Sequence, residues 1–120
     1  MSENTWSAIE KTVAQEAFKK AYERETNDLI DQLSEKIKGV DNIDAVWEIH
    51  DYLSAKRHQI DGRYYLTMQK YLGQENGKEN DYSALVFLFA DLLKEKWLLR
   101  EDLSGLSPDK ISKISALSYL

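Results

Sequence analysis

The stretch from Trp6 to Lys38 contains neither glycine nor proline, and this constrains the chain more than any other feature. Apolar residues recur through it at helical spacing: Trp6, Ile9, Val13 and Ala17, then Ala21 and Tyr22, then Leu29, Leu33 and Ile37. Gly39 supplies the stop, so one uninterrupted helix is predicted. At about 1.5 Å per residue it spans on the order of 50 Å. A compact chain of 120 residues has a diameter of only roughly 35 Å. The helix therefore overhangs, and the Leu29, Leu33 and Ile37 end of its stripe needs cover from outside a compact monomer. A second copy of the same chain is the simplest source of that cover.

A second helix is predicted from VWEIHDYLSAKRHQIDG, Val46 to Gly62. Asp41, with Asp44 three residues on, is placed to cap its start, and Asp61 and Gly62 to close it. Advancing about 100° per residue puts Val46, Ile49, Leu53 and Ile60 in one narrow sector, the expected buried stripe. Beside it lies a second stripe of Trp47, His50, Asp51, Ser54, Arg57, His58 and Asp61. This surface gathers residue types that solubility alone does not call for.

After Gly62 the periodicity loosens, and GQENGKEN, Gly73 to Asn80, reads as a polar excursion. Tyr64, Tyr65, Leu66, Met68, Tyr71 and Leu72 extend the second helix or form a short one before it. DYSALVFLFADLLKEKWLL then begins with an Asp81 cap and is apolar nearly all round, as in a core helix or a dimer seam. Strand competes over ALVFLFA, but the pattern continues helically through Leu92, Leu93 and Trp97. Ser107 and Pro108 open a short terminal helix carrying Ile111, Ile114 and Leu117. No strand pair emerges, and the predicted class is all-α: a long first helix, with shorter helices forming a bundled head, within one domain spanning 1–120.

Composition narrows the function. A net charge of -5 argues against a general nucleic-acid binder, which needs a basic footprint. The absence of cysteine excludes disulfides, a thiolate nucleophile and thiolate metal ligands. The apolar run from Ala84 to Ala90 is far short of a bilayer span, and MSENTWSAIEK has the form of no secretory leader, so the expected location is the cytoplasm.

A merely solvated helix margin is the plain reading of the second stripe. Against it, Trp and Arg are the side chains most enriched at interface hot spots, and here they flank a His and an Asp. An enzymatic reading finds His50 and Ser54 at i, i+4 as base and nucleophile, with no sign of an oxyanion hole or a walled cleft. A metal reading fails on spacing, since His50 and His58 stand about 12 Å apart along the axis. No cofactor motif is present. Protein recognition is the sharper expectation.

Over Ile43 to Tyr64, centred on WEIHDYLSAKRHQIDG, the chain closely resembles the fluorescence recovery protein family of cyanobacteria. The likeness returns in VFLFADLLKE, Val86 to Glu95, and in the tail DKISKISAL, while the first helix matches in pattern only. The resemblance implies an all-helical, elongated homodimer without a cofactor. It implies regulation rather than catalysis: binding the photoactivated, red orange carotenoid protein, mainly through that protein's C-terminal domain, and speeding its return to the orange form. Quenching at the phycobilisome then ends, and the chain meets the thylakoid surface through its partner. The family's functional patch maps onto Trp47, His50, Asp51 and Arg57, and a tail lysine onto Lys113. One departure is the segment between Gly62 and Val86, longer than the family's connection. It keeps an alternative open, a divergent dimeric helical adaptor using the same patch on another partner.

Overall fold

The structure is a computed structural model and describes residues 6–66 and 83–120. Its elements are α1 (Ala8–Lys38), α2 (Ile43–Ile60), a π-helical turn (Asp61–Leu66), α3 (Ser83–Lys94), a 3-10 turn (Arg100–Leu103) and α4 (Pro108–Leu117). Four α-helices and no strand among the described residues make the class all-α, as the periodicity predicts. The polar excursion at Gly73 to Asn80, the Asp81 cap and the 67–72 extension lie outside the described residues.

The first helix starts two residues later than its apolar pattern. Ser7 is extended and its hydroxyl accepts from the Glu10 amide at 3.0 Å, while Glu10 Oε1 accepts from the Ser7 amide at 3.0 Å. This reciprocal cap ends the non-helical chain at Ser7, so Trp6 folds over the helix start instead of joining it and lies 6.2 Å from Phe89, ring to ring. The same Glu10 carboxylate accepts from the Ser107 amide at 2.9 Å and from Lys110 Nζ at 3.2 Å. Ser107 caps α4 with Pro108 in the first turn, as the sequence predicts. One side chain thus serves the starts of two helices.

The N-terminal half of α1 is a core element. Ala14, Ala17, Phe18, Ala21 and Glu25 are buried, repeating at three and four residues. The apolar four share a cluster with Leu85, Phe89 and Leu92 of α3, Leu98, Leu103, Leu106 and Ile114. Phe18 and Phe89 meet at 4.9 Å. The register differs from the expected stripe: the buried face runs through Glu10, Ala14, Ala17 and Phe18 to Ala21, which leaves Ile9 and Tyr22 exposed beside it.

Beyond Glu25 the helix leaves the head. α2 returns along it in antiparallel fashion, as Lys36 Nζ lies 4.5 Å over the Tyr52 ring and Tyr64 stands 5.5 Å from Tyr22. The result is a protruding α-hairpin on a bundled head, 59 × 30 × 22 Å overall. Its radius of gyration, 17.0 Å, exceeds the roughly 14 Å of a compact chain this long. Along the hairpin Leu29 and Leu33 are partly covered, whereas Ile30 and Ile37 are 61% and 56% exposed.

Three helix ends depart from expectation. Asn42, not Asp41, caps α2: its Oδ1 accepts from the Ala45 amide at 2.9 Å, and its Nδ2 donates to Asp41 at 2.7 Å. An amide side chain can accept from the helix and donate backward at once, which a carboxylate cannot. α2 ends at Ile60 with Asp61 as its C-cap, as expected, but Gly62 does not stop the chain, which widens into the π turn and turns Arg63 and Tyr64 inward. Finally α3 stops at Lys94, short of Trp97, with Lys96 at φ 70. There the Trp97 amide donates to Leu92 at 2.9 Å and the Lys96 amide to Leu93 at 3.0 Å, the two bonds of a Schellman stop. Past the 3-10 turn, Gly105 adopts φ 110, and a Cβ there would stand 2.6 Å from Val13 Cγ2, so glycine alone fits.

Candidate functional site

The face singled out by the helical wheel is held at the surface of the hairpin. Trp47, His50, Asp51, Ser54, Arg57, His58 and Asp61 are all exposed, and Trp47 at 57% is the largest aromatic surface on α2. A tryptophan left that open contributes little to the fold of the chain and presents its apolar ring to whatever lies against it. The expected buried stripe beneath is thinner than predicted. Ile49 and Leu53 are half-buried and Ile60 is buried, but Val46 and Ile43 are exposed. Two antiparallel helices cover one side of each other and no more, so residues near the hairpin tip have no third element to enter.

Polar groups along the face come in neighbouring pairs. His50 Nδ1 lies 3.3 Å from Asp51 Oδ1, and Arg57 Nε lies 3.7 Å from Asp61 Oδ2 one turn on. Both pairs are solvated, so each interaction is worth little to stability and each group stays available to an external partner. His50 and Ser54, one turn apart, are both exposed on this surface.

Lys113 is elsewhere. It lines a cleft of about 420 Å³ with Ser7, Glu10, Leu106 and Lys110 at the head end of α1. Tyr52, next to the patch, lies by Lys36 at the opposite end. Glu10 and Lys36 are about 40 Å apart along the helix at about 1.5 Å per residue. Within one copy, then, the four residues of α2 form one surface and Lys113 belongs to another.

Sequence reasoning missed what sets the hairpin on the head. Arg63 Nη1 donates to Glu25 Oε1 at 3.0 Å and Nη2 to Glu95 Oε2 at 2.7 Å, while the Tyr64 hydroxyl donates to Glu25 at 2.7 Å. Trp97 Nε1 adds a bond to Glu95 at 3.2 Å. Burial, then the Glu25 carboxylate, push the Tyr64 phenol well above its ordinary range, so it remains a donor. A signal did exist: Glu25 continues the 14, 18, 21 register of the buried face, and a charge on that face demands a partner.

Among the described residues no helix is long and apolar enough to cross a membrane. A family model described as the photoprotection regulator fluorescence recovery protein matches residues 6–118. The chain is 39% identical to the fluorescence recovery protein of Synechocystis over 119 residues, 99% of this chain and 96% of the relative. Among solved structures it is similar to the Fremyella diplosiphon fluorescence recovery protein, with a TM-score of 0.76 and 42% identity over 97% of this chain and 100% of that one. The Synechocystis structure gives a TM-score of 0.73 and 38% identity over the same shares.

Proposed function

Because the chain belongs to the fluorescence recovery protein family of photoprotection regulators, we propose that it binds the photoactivated, red orange carotenoid protein and accelerates its return to the orange form. Antenna fluorescence quenched at the phycobilisome would thereby recover. The observation that carries this reading is the exposure of Trp47, His50, Asp51 and Arg57 along one face of a protruding hairpin. Trp47 acts as aromatic anchor, Asp51 and Arg57 as charged contacts, and His50 as a hydrogen-bonding group. Bond-making is not required. A protein speeds an interconversion between two states by binding the barrier-top arrangement more tightly than the starting one.

The functional unit in this reading is a homodimer joined through the hairpin, whose Ile30, Ile37, Ile43 and Val46 are exposed. Packing these side chains against a second copy removes apolar surface from water at about 25 cal/mol per Å². Lys113, at the far end of the molecule, makes a separate contact through the head. The chain works without a cofactor, in the cytoplasm, and reaches the thylakoid surface through its partner.

The experiment is a mixed assay. Photoactivated orange carotenoid protein is followed spectroscopically in the dark, alone and with increasing amounts of this chain. Faster red-to-orange recovery that saturates with concentration supports the proposal. An unchanged rate, with no complex recovered in a pull-down on the red form, sinks it and leaves a helical adaptor with another partner.

A further inference from the structure

Where α2 runs into the π turn, the hairpin opens a groove of about 480 Å³. Its floor is apolar and buried: Phe18 meets Tyr64 edge-on at 6.3 Å, and Ile60 closes the base. Tyr64 is fixed in place, since its hydroxyl donates to Glu25 at 2.7 Å and Tyr22 stacks edge-on against it at 5.5 Å. The walls combine Tyr22 and Tyr65, 46% and 60% exposed, with Gln15, Glu16 and Lys19 of α1. Two large amphipathic rings thus stand around a preformed floor, the kind of pocket into which a partner's apolar side chain inserts at an interface hot spot.

The groove is continuous with the exposed face of α2. Asp61 forms part of its rim and is also the residue 3.7 Å from Arg57. A segment lying along Trp47, His50 and Arg57 therefore reaches the groove one helical turn later without leaving the helix. We infer that this groove is the socket for an apolar side chain, aromatic or branched, presented by the same protein partner that the Trp47 face engages. The inference rests on the proposed role of that face, and it adds Tyr22 and Tyr65 to the contact surface.

Two full-length variants test it. Tyr65→Ala removes one wall, and Gln15→Trp fills the groove from the α1 side while leaving every aromatic residue in place. Each is titrated by calorimetry against photoactivated orange carotenoid protein, beside the unaltered chain and Trp47→Ala. Binding at least about tenfold weaker in both variants is expected, with helicity, melting midpoint and mass unchanged. Should Tyr65→Ala melt early, Gln15→Trp decides alone. Unaltered affinity in the groove variants, while Trp47→Ala binds weakly, overturns the socket and leaves the face intact. A change in oligomeric mass assigns the groove to a second copy of this chain and overturns it as well. No affinity in the unaltered chain overturns the parent reading and the socket together.

Discussion

Arg63 lies 3.0 Å from Glu25 and 2.7 Å from Glu95, so one guanidinium joins the middle of α1, the turn after α2 and the end of α3. The Glu25 side chain is 3% exposed and that of Arg63 12%, which makes the pair a buried one. Its position at the root of the hairpin means that the angle between hairpin and head depends on it.

Arg63→Met is expected to destabilise the chain by about 3–5 kcal/mol, because it strands a buried carboxylate. Adding Glu25→Leu should recover part of that loss, since it removes the uncompensated charge but leaves the buried Tyr64 hydroxyl without its acceptor. Urea denaturation of the three chains measures both effects. Equal stability of Arg63→Met and the parent would show that water reaches Glu25.

Acid should weaken the head. Burial pushes the Glu10 carboxyl up, but hydrogen bonds from the Ser7 and Ser107 amides and from Lys110 outweigh it, leaving the group below its ordinary value of 4.5. Asp102 is likewise raised by burial and lowered more by Arg24, the Leu99 amide and Lys20, to below 3.8. A carboxyl whose folded value is depressed contributes stability that is complete above its ordinary value and is lost as pH falls through the depressed one. The melting midpoint should hold down to the upper end of that window and then drop. A chain carrying Glu10→Gln and Asp102→Asn should start lower and drop less.

Two positive-φ positions carry opposite expectations. Lys96 occupies the left-handed stop of α3 with a Cβ, so Lys96→Gly should stabilise by about 0.5–1 kcal/mol. Gly105→Ala should destabilise, as its Cβ would lie 2.6 Å from Val13. Thermal melts of both variants give the signs directly.

If the hairpin is the dimer surface, Ile30→Asp with Ile37→Asp should produce a monomer of 13.9 kDa with undiminished helicity. Both residues are open in a single copy, so the charges do no harm to its fold. Light scattering during size exclusion reads the mass. A parent chain that already runs as a monomer in dilute buffer removes the premise.

Trp47→Ala or Arg57→Leu should weaken partner binding by about 2 kcal/mol or more, the scale of a hot spot. The melting midpoint should move little, because both side chains are exposed. Unfolding by either substitution would mean that the face belongs to the core.

Periodicity is a local property, and what depended on it was legible in the chain alone. The stretch without a breaker had to carry one long helix, which runs from Ala8 to Lys38, Ser107 and Pro108 had to begin another, and α2 had to carry Trp47, His50, Asp51 and Arg57 on one face. A helical wheel says which side chains share a side, though not what that side meets. Only packing between distant segments decided that Glu25 is buried and answered by Arg63, that Ile9 and Val46 are open, and that Lys113 lies at the other end of the molecule from Trp47. The groove of Phe18, Tyr22, Tyr64 and Tyr65 belongs to the same class, because its walls come from two helices that meet there only when the hairpin closes and the π turn rotates Tyr64 inward.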